Sequence, residues 1–330
     1  MPANVSAVAI PPLLALIAAV LVIAALLRTR VGALIVDRPN HRSLHAVPTP
    51  RIGGIGVVCG TCSGAAAAGF VIDPHLSIAT ALLVAISLVD DIRSIGAASR
   101  MAAHLTAAAL AATVFFDATH DLLPMLATVL AVAWMTNLYN FMDGSDGLAG
   151  GMAVFGFGGY GIAALLANAP AFAALNLAIA AAAAGFLFFN FPPARIFLGD
   201  AGAIPLGFFA AVCGLAGWQQ SVWPLWFGPV VFSPFIVDAS LTLARRLARG
   251  ARVWEGHREH YYQRLVQAGW GHRKTLLAEF ALMGAMCLIA LAGLCLGPAA
   301  HHAILALVVA LYLVLIGLLE FRLPSRAAHG

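Results

Sequence analysis

The sequence predicts an all-α, polytopic integral membrane protein, and three observations predict it. Of the 330 residues, 62% are hydrophobic and only 10% are charged, whereas soluble domains carry about 25% charged residues. The mean hydropathy is +0.93. The apolar residues fall into runs close to the length of a bilayer span, separated by short polar connections. No linker or charged block divides the chain, so we expect residues 1–330 to form a single integral membrane domain.

The apolar runs predict 11 transmembrane helices. The first run is followed, not preceded, by basic residues, which favours a retained span over a cleaved signal. Alanine and glycine are abundant, as expected where membrane helices pack closely. The predicted spans are 8–27, 54–72, 76–89, 101–116, 122–141, 151–168, 171–189, 203–218, 222–246, 275–297 and 302–320.

The basic residues give this topology an orientation. With the N-terminus periplasmic, the even-numbered connections lie outside, and none contains Lys or Arg. All 18 basic residues then fall on the cytoplasmic side, as the positive-inside rule requires, and the C-terminus is cytoplasmic too. The net charge of +4 follows from this topology and suits attraction to anionic lipid or substrate phosphates, so no nucleic-acid partner is needed.

One stretch on the predicted cytoplasmic side concentrates oxygen ligands. An almost wholly apolar run ends in Asn137-Leu-Tyr-Asn-Phe-Met-Asp-Gly-Ser-Asp-Gly147. Asn137, Asn140, Asp143 and Asp146 are each three residues apart, which keeps neighbouring side chains roughly on one face while the backbone is helical. Polar ligands at a membrane edge suggest a cation or a polar substrate.

Three further connections bring polar groups to the same face. They supply Asp90 with Asp91, then Asp200, then His257 with His260. Clustered carboxylates repel one another unless a cation or proton compensates. Oxygen ligands without cysteine favour Mg²⁺, with Mn²⁺ as a substitute, and nearby arginines suit phosphates. This pattern predicts a transferase that joins a nucleotide-activated group to a lipid.

The polar groups belong to five motif blocks. The blocks are Asp37-Arg-Pro-Asn-His-Arg-Ser-Leu-His45 leading to Pro48-Thr-Pro-Arg-Ile-Gly-Gly54, Asp90-Asp91, Asn137 to Ala149, Phe197-Leu-Gly-Asp200, and His257-Arg-Glu-His-Tyr-Tyr-Gln-Arg264. In this order they resemble the polyprenyl-phosphate N-acetylhexosamine-1-phosphate transferases, bacterial glycosyltransferase family 4. The last block looks most like the O-antigen-initiating branch of that family.

The resemblance implies one reaction and its setting. Undecaprenyl phosphate attacks the sugar-linked phosphorus of a UDP-N-acetyl sugar, UMP leaves, and a lipid-diphosphate-sugar remains. This is a Mg²⁺-dependent first membrane step of O-antigen, lipopolysaccharide or other cell-surface polysaccharide synthesis, in the bacterial inner (cytoplasmic) membrane. The implied site is built from the connections 28–53, 90–100, 141–150, 190–202 and 247–274.

The resemblance also implies a division of labour among the site residues. Asp200 and Asn140 match the metal ligands. Asp90 and Asp91 match the pair proposed to position or deprotonate the lipid phosphate. Together with Asp200, this pair forms the expected catalytic residues. Whether an aspartate acts as base or as nucleophile stays open. The remaining matches are substrate-binding positions: Asn137, Asp143, Asp146, Arg100, His257, Arg258 and His260.

The chain departs from the family pattern at two places, and the roles of some residues stay open. The aspartate pair is followed by Ser94 where a third acidic or amide residue is common. The histidine loop is His-Arg-Glu-His rather than a denser histidine run, so one contact is missing or supplied by Arg258. Asp238 suits a structural pair with an arginine as well as a site role. The sugar and the oligomeric state, a homodimer included, are open.

Three alternatives compete with this interpretation. A phospho-N-acetylmuramoyl-pentapeptide transferase of peptidoglycan synthesis would share the same blocks. A lipid-linked transporter or flippase would place polar groups near the bilayer midplane, whereas here they gather at one face. A prenyl-chain enzyme would need a second aspartate-rich motif, which the sequence lacks.

The five cysteines do not form a zinc-like arrangement, so we expect them to be buried thiols in helix packing.

Overall fold

The computed structural model describes residues 5–29, 35–39, 47–93, 95–252 and 256–323. Asn40 and His45 of the first motif block, and Ser94, lie outside the described residues. The described part of the chain contains thirteen α-helices and one two-stranded hairpin. The helices are α1 (Val5–Arg28), α2 (Gly53–Ala67), α3 (Pro74–Arg93), α4 (Ala97–Phe115), α5 (Leu122–Phe141), α6 (Leu148–Leu166), α7 (Pro170–Asn190), α8 (Asp200–Gln219), α9 (Phe227–Val231), α10 (Ser233–Ala248), α11 (Tyr261–Leu265), α12 (Gly271–Leu296) and α13 (His301–Arg322).

Each predicted apolar run corresponds to a helix, with one difference. The ninth run is divided at Phe232 into α9 and α10. Pro229 and Pro234 flank the break, and a proline inside a helix removes a hydrogen bond and crowds the preceding turn. By length and composition, eight helices of the described chain could cross a membrane, which supports a multi-pass membrane protein. The count of 11 spans stays a prediction.

Glycine and alanine let α1, α2 and α7 approach closely. A Cβ atom added at Gly60 would lie 2.6 Å from the carbonyl oxygen of Ala15, and one at Gly64 would lie 2.5 Å from Cβ of Ala178. This confirms the small-residue packing expected for membrane helices. The cysteine expectation holds only in part, because Cys213 and Cys287 are buried but Cys62 and Cys295 are exposed.

The loops and helix ends that connect the helices contact one another at the two ends of the bundle. At one end, the side chain of Gln219 donates to the carbonyl of Phe115 at 2.6 Å, and Trp226 contacts His301 with ring centroids 5.0 Å apart. At the other end lie the connections that carry the motif blocks. The predicted parity of the spans agrees with this arrangement, while the compartment that each end faces stays a prediction.

A backbone scaffold shapes the motif-bearing end. Strands β1 (Val36–Asp37) and β2 (Thr49–Pro50) pair antiparallel. The N–H of Phe197 donates to Pro50, and the N–H groups of Gly53 and Gly54 donate to Phe197 and Leu198. A Cβ atom at Gly54 would lie 2.3 Å from the backbone nitrogen of Gly202, so only glycine allows this approach. The scaffold joins the start of α2 to the start of α8.

Candidate active site

Three aspartates and two arginines form one group, here called the acidic cluster: Asp90, Asp91, Asp200, Arg51 and Arg100. Nη2 of Arg51 lies 2.9 Å from Oδ1 of Asp91 and 3.0 Å from Oδ1 of Asp200. Nη1 of Arg100 lies 2.9 Å from Oδ2 of Asp90 and 3.7 Å from Oδ2 of Asp200. Four of these residues were predicted from the sequence as site residues, and the fold brings them together.

Burying the charged carboxylates of the acidic cluster costs free energy unless their charge is compensated. The Asp91 side chain is only 1% exposed and that of Asp200 only 11%. Oδ1 of Asp91 is buried and accepts no hydrogen bond of good geometry, although the Arg51 guanidinium is close. Buried charges of this kind are kept where they are paired or where they bind something. The acidic cluster is therefore a strong candidate for a binding or catalytic site.

The start of α8 explains the position of Asp200. Gly199 precedes it with φ of +73°, in the left-handed region, and a Cβ atom there would lie 2.5 Å from the Arg51 carbonyl oxygen. Asp200 is the first residue of α8, where the helix dipole favours a negative charge. The local sequence thus places this carboxylate at the N-terminus of α8, next to the loop that carries Arg51.

Asp143 belongs to the electrostatic surroundings of the acidic cluster. Burial, the negative charge of Asp200 and, more weakly, those of Asp91 and Asp37 raise the pKa of the Asp143 carboxyl well above its ordinary value, while Arg51 opposes them. Conversely, burial opposes the charge of Arg51, but the surrounding carboxylates, led by Asp91 and Asp200, raise the pKa of its guanidinium. Carboxylates outnumber the guanidinium groups here.

Asp146 faces a different neighbour. Its Oδ2 accepts from the N–H of Ala194 at 3.0 Å, and its Oδ1 lies 4.0 Å from Nδ1 of His272. Oγ of Ser145 also contacts Nδ1 of His272, at 2.9 Å. The two aspartates of the 142–147 loop therefore diverge, with Asp143 towards the acidic cluster and Asp146 towards the 191–199 loop and α12.

The two predicted asparagines lie in the last turns of α5. The side-chain amide of Asn137 donates to the carbonyl of Ala133 at 2.7 Å and contacts the sulfur of Met101 at 3.9 Å, so it packs towards α4. Asn140 is half-buried, and its carbonyl accepts from the N–H of Asp143 at 3.2 Å. The substrate role of Asn137 and the metal role of Asn140 stay predictions.

Residues 257–260, here called the histidine loop, form a second group. The rings of His257 and His260 have centroids 4.8 Å apart. Burial, together with His260 and Arg246, lowers the pKa of His257 to about 4, so that its ring is neutral at pH 7. Glu259 forms ion pairs with Arg246 and Arg249 of the α10 region, and Arg258 is half-buried.

Tyr262 connects the histidine loop to the 142–147 loop. Its hydroxyl donates to the carbonyl of Phe141 at 3.3 Å. A Cβ atom added at Gly144 would lie 2.2 Å from the same hydroxyl oxygen. The 142–147 loop thus contacts α11, which directly follows the histidine loop, and its Asp143 feels the charges of the acidic cluster.

Three residues of this region were not predicted from the sequence to be site residues. The sequence places Arg51 only within the first motif block, without a partner, yet it bridges two aspartates. Asp37 was given no role, yet it adds to the negative field on Arg51 and Asp143. His272 lies outside the motif blocks, yet it contacts Ser145 and lies 4.0 Å from Asp146. Only Arg51 and Asp37 carried a sequence signal, because they lie in the first motif block. That signal did not indicate which residues they would contact.

The expected Mg²⁺ stays a prediction. Among the described residues, no three His, Cys, Asp or Glu side chains are grouped as a metal site. The donor chemistry nevertheless suits a hard divalent cation, because the acidic cluster offers oxygen ligands, more carboxylates than guanidinium groups, and Oδ1 of Asp91, which accepts no hydrogen bond although Arg51 is close. The residues present therefore fit such an ion chemically.

The fold and the site define a class: a multi-pass helical membrane protein in which largely buried carboxylates meet partly exposed arginines at one end of the bundle. Residues 74–217 match the family model described as Glycosyl transferase family 4. The family resemblance expected from the motif blocks is confirmed by this match and by the relatives below.

Three curated relatives are similar to this chain over long stretches. The "Probable undecaprenyl-phosphate N-acetylglucosaminyl 1-phosphate transferase" of Bacillus subtilis is 27% identical, over 77% of this chain and 75% of its own length. The "Decaprenyl-phosphate N-acetylglucosaminephosphotransferase" of Mycolicibacterium smegmatis is 29% identical, over 89% and 84%. The "Phospho-N-acetylmuramoyl-pentapeptide-transferase" of Moorella thermoacetica is 33% identical, over 52% and 51%.

Proposed function

We propose that this protein transfers an N-acetylhexosamine-1-phosphate from a UDP-sugar to undecaprenyl phosphate in the bacterial inner membrane. One observation carries the proposal: three buried aspartates meet two arginines at one end of a membrane bundle. Soluble and lipid substrates can both reach such a place. The relatives named above support the substrate class.

The reaction needs two anionic groups to approach each other in line. A phosphate oxygen of the lipid attacks the sugar-linked phosphorus, the bond to the bridging oxygen breaks, and UMP leaves. Arg51 and Arg100 can hold phosphate oxygens, since guanidinium groups bind them in bidentate fashion. Asp90 and Asp91 lie beside these arginines, where they can orient the lipid phosphate or accept its proton.

Mg²⁺ would be held by Asp200 and Asn140, and it would neutralise the diphosphate and fix its geometry. Asp143 and Asp146 are assigned to the nucleotide side. The histidine loop is assigned to the diphosphate and sugar, because its neutral His257 and its arginine neighbours are suited to polar, anionic groups.

The test uses purified protein with Mg²⁺, undecaprenyl phosphate and a panel of UDP-sugars, with UMP release and the lipid product measured. Release of UMP with formation of a lipid-diphosphate-sugar is expected for one N-acetyl sugar. Asp200→Ala should abolish turnover, whereas Asp117→Asn, an exposed aspartate at the opposite end of the bundle, should keep it. Near-normal turnover by Asp200→Ala would remove the metal assignment.

The similarity to a pentapeptide transferase favours a second candidate substrate. UDP-N-acetylmuramoyl-pentapeptide therefore belongs in the panel, and turnover of it alone would move the protein from polysaccharide initiation to peptidoglycan synthesis. Lipid transport without UMP release would replace the transferase with a transporter. For the preferred substrate, we place the reaction at the first membrane step of O-antigen or related polysaccharide synthesis.

A further inference from the structure

Asp238 is a buried carboxylate that the reaction above does not use. It lies on α10 and is only 7% exposed. Its Oδ1 accepts from the N–H of Tyr261 at 2.9 Å, and its Oδ2 accepts from the N–H of Tyr262 at 3.1 Å. The hydroxyl of Thr242 donates to Oδ1 at 3.1 Å, and Nδ1 of His260 lies 3.3 Å from it.

These donors fix the chain immediately after the histidine loop. Tyr261 and Tyr262 begin α11, and the first N–H groups of a helix have no partner within it. The carboxylate supplies that partner from another helix, 23 and 24 residues earlier in the chain. Hydrogen bonds to a carboxylate are shorter and stronger than those between neutral groups, so the connection is strong and directional.

The same helix also holds the loop one residue before His260. Arg246 of α10 is buried and forms an ion pair with Glu259. Asp238 and Arg246 therefore hold both sides of His260 against α10. Beyond this point Tyr262 continues to Phe141 and Gly144, so the position of α11 also sets the contact with the 142–147 loop.

We propose that Asp238 is a positioning residue, which rests on the proposed function of the histidine loop: by holding the backbone of Tyr261 and Tyr262, its carboxylate orders the histidine loop against the 142–147 loop without touching substrate. The loop then meets the anionic donor substrate in a pre-formed geometry, so that little ordering remains to be done on binding.

A general structural role predicts something different, and the chain offers a matched control for it. Glu320 of α13 contacts the same Tyr261, but through its hydroxyl, at 2.8 Å, and it also pairs with Arg264 at 2.6 Å. Glu320→Gln weakens the attachment of α11 from the opposite side. It leaves the backbone N–H groups of Tyr261 and Tyr262 on Asp238.

The experiment compares Asp238→Asn with Glu320→Gln in the full-length protein in detergent. The first readout is hydrogen–deuterium exchange of peptides that cover residues 257–265, which needs no substrate. The second is kcat and KM for the UDP-sugar that the panel identifies, and the third is the thermal unfolding midpoint. Asn keeps the size of Asp but presents an N–H₂ donor towards an N–H donor, so one backbone bond is lost.

For Asp238→Asn we expect faster exchange in residues 257–265 and kcat/KM lower by about tenfold or more, since only the ordered fraction of the loop is competent. Glu320→Gln should keep kcat/KM within about threefold of the wild type, even if its unfolding midpoint falls as far as that of Asp238→Asn. Asp238→Glu, which keeps the carboxylate, should recover part of the exchange protection relative to Asp238→Asn. If Asp238→Asn does not fold, Asp238→Glu is compared with the wild type, and exchange in residues 257–265 should be faster in the variant.

Unchanged exchange in Asp238→Asn would overturn the proposal, as would an equal loss of kcat/KM in Glu320→Gln. If the wild-type protein turns over no UDP-sugar, the proposed function fails by itself. The exchange comparison then still decides whether Asp238 orders the loop.

Discussion

The hydroxyl of Tyr262 occupies the space where a side chain at Gly144 would have to lie. A Cβ atom there would be 2.2 Å from the hydroxyl oxygen, well inside van der Waals contact. The absence of a side chain at Gly144 therefore allows α11 to dock on the 142–147 loop. This contact joins α11, which follows the histidine loop, to the 142–147 loop, and it can be tested directly.

We expect Gly144→Ala to displace Tyr262 and to lower kcat/KM for the UDP-sugar, with an overpacking cost of about 1–3 kcal/mol in stability. Steady-state kinetics and thermal unfolding in detergent measure both effects. Gly158→Ala is the control, since a Cβ atom on this α6 glycine meets nothing within 4 Å. Wild-type kinetics in Gly144→Ala would show that the contact is dispensable.

Replacing Arg51 by lysine keeps the charge but removes the planar fork that reaches Asp91 and Asp200. Loss of one charge-assisted hydrogen bond, about 1.5–3 kcal/mol, should lower UMP release by about tenfold or more. Arg93→Lys, at the exposed end of α3, should leave UMP release near the wild-type rate. Equal effects of the two substitutions would contradict a central role for Arg51.

The pKa of His257 predicts a pH dependence of stability. Its ordinary value is 6.5, and burial, His260 and Arg246 lower it to about 4 in the folded protein, while Glu259 and Asp238 oppose this. Between these values the unfolded chain binds the proton and the folded chain does not. The free energy of unfolding therefore falls as the pH falls from 6.5 to 4.

His257→Gln removes this contribution, so the wild-type unfolding midpoint should decline more than that of the variant as the pH is lowered through the window. Thermal unfolding at several pH values checks the difference. His120→Gln, at the opposite end of the bundle, should follow the wild type. Parallel curves for wild type and His257→Gln would mean that His257 titrates alike in both states.

Asn190 joins two loops of the site. Its Oδ1 accepts from the N–H of Gly147 at 2.7 Å, and its side-chain amide donates to the carbonyl of Ile196 at 2.8 Å. It is buried, so Asn190→Ala leaves both backbone groups without a partner, at about 1–3 kcal/mol for each group. We expect a clearly lower unfolding midpoint, and a smaller decrease for Asn190→Asp, which keeps the acceptor.

Gln220→Ala provides the comparison for Asn190, because Gln220 is exposed in the turn after α8. Its midpoint should stay within a degree or two of the wild type, as expected for about 0.5 kcal/mol or less at a surface position. A similar decrease in both variants would assign the effect to the detergent preparation rather than to the loop contact.

The bounds of most helices and the gathering of Asp90, Asp91, Arg100 and Asp200 could be predicted from the sequence. Hydrophobic length and the distribution of charge are local properties, and they decide which residues reach the same end of a bundle. Five separate motif blocks then supported one site. The break at Phe232 was missed because an apolar run conceals a change in backbone direction.

The pairing inside the site could not be predicted in the same way. Arg51 reaches Asp91 and Asp200 only because Gly53 and Gly54 hydrogen-bond to the loop before α8, a contact between residues about 145 apart. Asp238 stayed ambiguous because its partners are backbone N–H groups of a distant segment. Such pairings depend on loop conformation, which periodicity and composition do not encode.

The ion pair between Glu320 and Arg264 has a practical consequence for topology mapping. Glu320 lies two residues from the end of α13, and Arg264 follows the histidine loop by four residues. The end of the last helix and the histidine loop therefore share one aqueous compartment, whichever one it is. A fluorescent or enzymatic reporter fused after α13 would identify the compartment from which the donor substrate is drawn, without any change to the site.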